Sequence, residues 1–578
     1  MAEVVGRAGA GYEPLTRDRV AAPSFENRGS ARRERMDAAA LVVGYLLLLA
    51  ITRTVDQGDT PVYAADIVAA LHGDRRAMWD FGHVLWRPLG FGIMRLVSSA
   101  AGNQEALYVT AVHLLTWLSV VAGAMGVFFF RLWLGRLDVP RLPAAVATVG
   151  FFSAAAFVGY AQTGSSYVPA LSMLVLGLYA LAADGRAKSS TTIALASVGF
   201  AGAALLWAPM VLGVPGAALS MIALRGVDRR RVVTALLACV ISGSVTLLVY
   251  AVVVDAAGLR SVHDIQQWVS SSSHGIVGAG GVPRAIVGFA RSVINTGQLG
   301  LIVKRLMIHD PYNGATWSDV MRGGLLRLLA FYALVGVTCL TLALRSTGRR
   351  VLLFMACSAA PVLGLALHWQ GGDLERYLAF FPALFAGVGF MMALVAVRSF
   401  AAIVPIGVAA MCLVNASAIA RSKATRECTE LTNRVTSVPR SPSGPTLIIS
   451  PHGLDEIVMM NVRCPTSPLV AANDAPEVRG LVMSNSSYSY VWHEWLATQA
   501  KVVWDSGGRV WISRRAFASA PNASWRWAEG DDPKLHWRDF PTYFSNVDVG
   551  PPVGGADGFV ELLPTERTRS FIAANASR

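Results

Sequence analysis

The stretch Asp56-Gln-Gly-Asp59-Thr60-Pro61-Val-Tyr63-Ala-Ala-Asp66 follows directly on an apolar run over residues 38–55. Polar character resumes at Trp79-Asp80-Phe-Gly-His83 and Leu85-Trp86-Arg87-Pro88-Leu89-Gly90. An apolar run of that length can span a bilayer as a helix. Carboxylates, histidines and aromatics set this densely beside a membrane surface are costly to hold unless they are solvated or used.

Composition supports the membrane setting. Hydrophobic residues make up 54% of the 578 and charged residues 15%, with a mean hydropathy of +0.47. A soluble domain is about 25% charged, so the chain reads as a polytopic membrane protein. The formal charge of +13 does not mark a nucleic-acid binder. Its basic residues stand as short arginine groups between apolar runs, as the positive-inside effect requires. Residues 1–37 are polar and lack an apolar centre, and read as a disordered cytoplasmic tail.

Working outward from the first loop, apolar runs at 106–130, 142–160, 168–183, 191–206, 210–224, 232–254, 323–344, 351–367, 378–397 and 401–420 bring the expected total to about eleven spans. With the tail inside, the arginine groups near residues 131–141, 186–188, 225–231, 345–350 and 398 fall on the cytoplasmic side. The loops 56–102 and 255–322 and the patch 368–377 fall outside, with Arg421 and Lys423 as the exception. The expected fold is therefore a polytopic α-helical membrane domain over residues 38–420 and a linker over 421–445. A small extracytoplasmic α/β domain over 446–578 would follow. In that last part, 446–450, 501–504 and 509–513 read as strands. Cys239, Cys339, Cys357 and Cys412 lie in apolar runs and read as small buried hydrophobes. Whether Cys428 and Cys464 pair is open on sequence alone.

Two outer patches carry the candidate chemistry. Asp59-Thr60-Pro61 is a helix start, with Asp59 or Thr60 as N-cap and the helix stopping at His72-Gly73. Asp59 is then either a plain cap or a general base for an acceptor hydroxyl. Asp56 is either a solvated residue at the end of a span or a second carboxylate. As a second carboxylate it would raise the first one's pKa or share a divalent metal such as Mg or Mn. His72 and His83 are further acid/base or metal candidates. Arg87 is either a snorkelling interfacial arginine beside Trp86 or a cation for a phosphate leaving group. The second patch, Gln370-Gly-Gly-Asp373-Leu-Glu375-Arg376-Tyr377, offers a Glu375–Arg376 pair. It is either a surface ion pair or a grip on lipid phosphate. In the loop 255–322, His263, Trp268, His274, Arg291, Lys304, Arg305 and His309 suit an interfacial cover and carry no ranking.

Together these pieces resemble the GT-C superfamily of integral-membrane glycosyltransferases, which includes protein O-mannosyltransferases and the aminoarabinose transferase of lipid A. The resemblance rests on Asp56-Gln-Gly-Asp59 with Tyr63 after span one, and on Gln162-Thr-Gly-Ser-Ser-Tyr167-Val-Pro169 before an apolar span. Its third part is Glu375-Arg376-Tyr377-Leu-Ala-Phe-Phe-Pro382. It implies a polyprenyl-phosphate-linked sugar donor and an extracytoplasmic glycan, lipid or protein acceptor. It also implies a catalytic acid at Asp59 or Asp56, and a phosphate cation at Arg376 or Arg87. Tyr63, His83 and Glu375 stand as further substrate contacts. Two residues separate Asp56 from Asp59, unlike the family's acidic pairs with one intervening residue, which leaves metal dependence open. The rival classes are a transporter or flippase, which would place ionisable residues at mid-membrane, and a non-enzymatic scaffold. Asp59 and Arg376 facing one outer cavity separates the enzyme from both.

Overall fold

The computed structural model describes residues 26–52, 59–73, 75, 78–97, 104–183, 189–225, 228–272, 281–297, 299, 302, 316–369, 371–394, 398–420, 438–439, 444–450, 477–480, 492–514, 540–555 and 558–576. Asp56, Cys428 and Cys464, and most of the expected linker, lie outside them.

Over the described residues every apolar run named above is helical, with a break at Ala154 in the run 142–160. In chain order the helices are α1 (Glu26–Thr52), α2 (Thr60–Leu71), α3 (Trp86–Val97), α4 (Gln104–Arg136), α5 (Arg141–Ser153), α6 (Ala155–Ala161), α7 (Tyr167–Leu181), α8 (Ser189–Leu206), α9 (Gly213–Arg225), α10 (Arg229–Ala256), α11 (Val262–Ser272) and α12 (Val282–Val293). They continue with α13 (Trp317–Ala343), α14 (Ser346–His368), a 3-10 turn at Leu374–Phe380 leading into α15 (Phe381–Leu394), and α16 (Arg398–Ala420).

Seven helices are long and apolar enough to cross a membrane, or eight if the bent pair α5–α6 is one span. This is a multi-pass membrane protein. The expected eleven is not reached by length, because α7, α8 and α9 are shorter. The 15 residues of α7 rise only about 22 Å, less than a bilayer core. Most of its side chains are buried against other helices, so protein rather than lipid surrounds it.

Helices in lipid gain little from apolar burial and associate where small residues let backbones approach. The α7–α8 crossing works this way. A Cβ added at Gly199 would lie 2.6 Å from the Gly177 nitrogen and 2.8 Å from the Met173 carbonyl oxygen. Backbone cannot yield as a side-chain tip can. Gly199→Ala is therefore expected to destabilise the protein by about 1–3 kcal/mol, read as a lower melting temperature in detergent.

Breaks in the helices have named partners. Between α5 and α6 the chain bends by 60° at Ala154, whose ψ is 140°. Asn415 of α16 is 1% exposed and satisfies the groups this bend releases. Its amide nitrogen donates to the Ser153 carbonyl at 2.8 Å and to the Val293 carbonyl at 2.9 Å, and its oxygen accepts from the Asn295 N–H at 2.7 Å. One side chain thus joins α16, the α5–α6 break and the end of α12. At the other end of the bundle, Asp37 accepts from Arg141 Nε at 2.6 Å and Arg131 Nη2 at 3.3 Å, joining α1, α4 and α5.

Near the C-terminus, β1 (Thr446–Ser450), β2 (Glu477–Gly480), β3 (Arg509–Ser513) and β4 (Phe559–Leu562) form a sheet of order β2-β1-β3-β4. β1 runs parallel to β2 and β3, and β4 is antiparallel to β3. Residues 501–504, expected as a strand, instead end the helix α17 (Trp492–Asp505). Leu496, Ala500, Val503 and Trp504 are all buried in the sheet's core cluster. That spacing of four, three and one is a helical face, which the four-residue window alone concealed.

Candidate active site

The segment between α1 and α4 is built around Asp59. Thr60 and Pro61 open α2 with Asp59 as N-cap, but its carboxylate makes no capping hydrogen bond. It accepts instead from the Tyr167 hydroxyl at 2.7 Å and from the Tyr63 hydroxyl, one turn along α2, at 3.3 Å. The acid is thus turned towards protein. His83 lies between the same two tyrosines, 5.6 Å from each ring centroid. Its Nδ1 is 2.6 Å from Ser166 Oγ and 3.2 Å from the Leu206 carbonyl. Burial holds this imidazole below its ordinary pKa, while the carboxylates of Asp80 and Asp59 pull it upward.

Arg87 is 8% exposed. Its guanidinium pairs with Asp66 at 3.0 Å and Asp80 at 3.2 Å and lies 5.0 Å over the Tyr63 ring. Two carboxylates on one arginine make it a brace between α2, the Asp80 turn and α3, and Asp80 also caps that turn through the Gly82 N–H at 2.7 Å. The structure therefore commits Arg87 to holding the loop together.

The turn at 162–167 is where the other elements meet. Gln162, Thr163, Ser165, Ser166 and Tyr167 are all buried. Gln162 donates to Thr52 at the end of α1, and Trp86 Nε1 donates to the Gly164 carbonyl, both at 2.8 Å. Ser119 of α4 donates to the Ser165 carbonyl at 2.8 Å. Gly164 is required here, since a Cβ would meet Thr60 Cγ2 at 2.4 Å and Leu115 Cβ at 2.7 Å.

The second patch folds against this turn from the far end of the sequence. Glu375, 7% exposed, accepts from the Tyr160 hydroxyl at 2.5 Å. The Tyr160 ring meets Tyr167 edge-on at 4.8 Å. Asp59 and Glu375 are therefore joined through two tyrosines in contact. Arg376 stacks 3.7 Å over the Trp369 ring and lies 4.0 Å from both Asp373 and Glu375. Tyr377 donates to the carbonyls of Gly371 and Ala285, fixing the patch to α12.

Asp373 completes the set. Its side chain keeps 46% exposure, yet desolvation by the surrounding walls, aided by the Glu375 carboxylate, pushes its carboxyl well above the ordinary range. Arg376 and Arg291 oppose that rise, and the charge of Asp59 adds to it. The field of Asp59 thus reaches the second patch. Among the described residues no three His, Cys, Asp or Glu side chains gather as a metal-holding group.

No family model and no curated protein sequence matches the chain. Among solved structures, ArnT from Cupriavidus metallidurans in the apo state matches with a TM-score of 0.51 at 10% identity, over 92% of this chain and 98% of that chain. ArnT bound to undecaprenyl phosphate matches with a TM-score of 0.50 at 10% identity, over 91% and 97%. The chain has a GT-C-like fold.

Within this GT-C-like fold the structure joins Asp59, Tyr63, His83, Glu375 and Arg376 into one region and sets Arg87 as a brace beside it. His72 turns back on its own helix, with Nδ1 2.8 Å from the Val68 carbonyl. Tyr160 and Trp369 were not singled out by sequence reading. Tyr160 ends an apolar run and Trp369 lies within the polar patch 368–377, and those positions were the available signal. Asp66 and Asp80 were visible as acids, but not as partners of Arg87.

The raised Asp373 pKa has a measurable consequence. Between about pH 4 and pH 7 the folded protein holds a proton that the unfolded chain has released. Stability from this group is therefore present at low pH and lost as pH rises through that window. Asp373→Asn is expected to flatten that part of the melting-temperature profile against pH.

Proposed function

We propose that the protein is a membrane glycosyltransferase that moves a sugar from a polyprenyl-phosphate donor to an acceptor hydroxyl outside the cytoplasm. The observation that carries this reading is the joining of Asp59 to the Glu375–Arg376 patch through Tyr167 and Tyr160. The GT-C-like fold, and a structural neighbour bound to undecaprenyl phosphate, support the choice of donor. The arginine distribution supports an outward-facing site, with the N-terminus inside and the C-terminal sheet domain on the side of the acceptor.

In this reading Asp59 takes the proton of the acceptor hydroxyl as its oxygen attacks the anomeric carbon. The bond from that carbon to the phosphate oxygen breaks, and the electron pair leaves with the lipid phosphate. Arg376 stabilises the charge that builds there. A single displacement inverts the anomeric centre. Tyr63 and Tyr167 aim the Asp59 carboxylate, Glu375 holds Arg376, and Arg87 keeps α2 and α3 in register. A divalent ion such as Mg or Mn, if bound, would share the phosphate charge with Arg376, with Asp59 as its described ligand candidate and Asp56 as its sequence neighbour. The test is incorporation of labelled sugar from a polyprenyl-phosphate donor by wild type and by Asp59→Asn. Equal incorporation by the two removes the proposed base.

A further inference from the structure

A cavity lies at the start of α13, on the face of the bundle where α14 ends and the Asp373–Arg376 patch begins. Its volume is about 490 Å³, and its polar lining comprises Asp319, Arg322 and Arg327. Thr316 caps the helix there through a reciprocal pair of bonds with Asp319. The Asp319 carboxylate accepts from the Thr316 N–H at 2.8 Å and from its hydroxyl at 2.7 Å. That acid is occupied by the cap. Arg327 Nη1 donates to the Asn295 carbonyl at 3.2 Å, which fixes its guanidinium at the rim.

The backbone keeps the cavity open. The helix is kinked within Met321–Leu325, where Gly324 takes φ 120° and ψ 13°, and Gly297 across the cavity takes φ 63°. A Cβ at Gly324 would lie 2.2 Å from the Thr296 carbonyl oxygen, and one at Gly323 2.4 Å from Ile302 Cδ1. Glycine alone takes this positive φ without steric penalty, so the kink and the space beside it depend on Gly324 and Gly297.

The remaining lining is apolar, from Ile302, Met321 and Leu326. Trp317, 73% exposed, stands at the mouth of α13, and Leu326 and Leu329 are 65% and 55% exposed along it. A tryptophan at the end of a span marks the headgroup level of a bilayer. The cavity therefore combines excess positive charge, an apolar floor and a lipid-facing wall at the depth of phosphates.

We propose that this cavity binds the phosphate-bearing headgroup of an anionic membrane lipid, with Arg322 and Arg327 on the phosphate and the acyl chains along α13. Neither Asp59 nor Arg376 lines this cavity, and its occupation does not rest on the glycosyl-transfer reading. The test is native mass spectrometry of the full chain in neutral detergent, with short-chain phosphatidylglycerol, phosphatidylcholine or inorganic phosphate added. Wild type is expected to bind phosphatidylglycerol about tenfold more tightly than phosphatidylcholine, as one or two charge-assisted hydrogen bonds imply. Inorganic phosphate at equal concentration should not displace it. The double variant Arg322→Gln with Arg327→Gln should lose that preference at an unchanged melting temperature. Arg345→Gln with Arg349→Gln, at the opposite end of α13, should retain it. Equal binding of the two lipids, a preference that survives the first double variant, or displacement by inorganic phosphate overturns the proposal.

Discussion

Asp59→Asn is expected to lower the proposed sugar transfer by about 10²–10⁴-fold, the range for removing a positioned general base, and to leave the melting temperature nearly unchanged. The two halves of that expectation separate the chemical role from the structural one. Asn serves as an N-cap as well as Asp, and Asp59 makes no side-chain capping bond in any case. The Tyr167 and Tyr63 hydroxyls can still donate to an amide oxygen in place of the carboxylate. Size, cap and hydrogen bonds survive, and only the charge and basicity go. Initial rates at saturating donor and acceptor, set beside a thermal melt, make the comparison. Lost activity with retained stability supports the base. Retained activity reduces Asp59 to the first residue of a helix.

Replacing Arg376 has the second largest expected effect, and here the choice of variant matters. Arg376→Gln removes the cation 4.0 Å from both Asp373 and Glu375, so a fall in activity would be mixed with a fall in stability. Glu375 would keep the Tyr160 hydroxyl but lose its cation while buried, an uncompensated charge of the kind that costs several kcal/mol. Arg376→Lys keeps the charge but gives up the planar face stacked on Trp369 and the two-pronged grip on phosphate. The lysine variant is expected to melt close to wild type and to lose about 10²–10³-fold in kcat, the scale of losing one electrostatic stabiliser of a developing negative charge. A change confined to the KM for donor would instead assign Arg376 to uniform binding of the lipid phosphate.

Much of this site was readable because its parts announce themselves locally. Asp59-Thr60-Pro61 carries cap and first-turn chemistry, and the helix begins and ends where those residues and His72-Gly73 place it. Arg376 and Glu375 are charges at the mouth of an apolar span, where a charge needs a reason. What stayed hidden depends on contacts between distant segments. Tyr160 sits in an apolar run and looks like any core aromatic until Glu375, 215 residues away, accepts its hydroxyl. The ties of Arg87 to Asp66 and Asp80 require three segments to have folded already. Hydropathy reports that a run is apolar but not whether lipid or protein surrounds it. Fifteen-residue α7, enclosed by other helices, therefore looked like a full span.

Asn415 has an implication for assembly in the membrane. Its three hydrogen bonds close the carbonyls left by the α5–α6 bend and the end of α12 and the N–H of Asn295, and bare backbone groups are not tolerated in hydrocarbon. Because α16 is the last of the membrane-length helices among the described residues, a nascent chain carries that defect until nearly all of those helices have been inserted. The face of the bundle that holds Asn415 therefore takes its working shape in a late step of biogenesis, and a truncation before residue 415 would strand an inserted but unfinished protein.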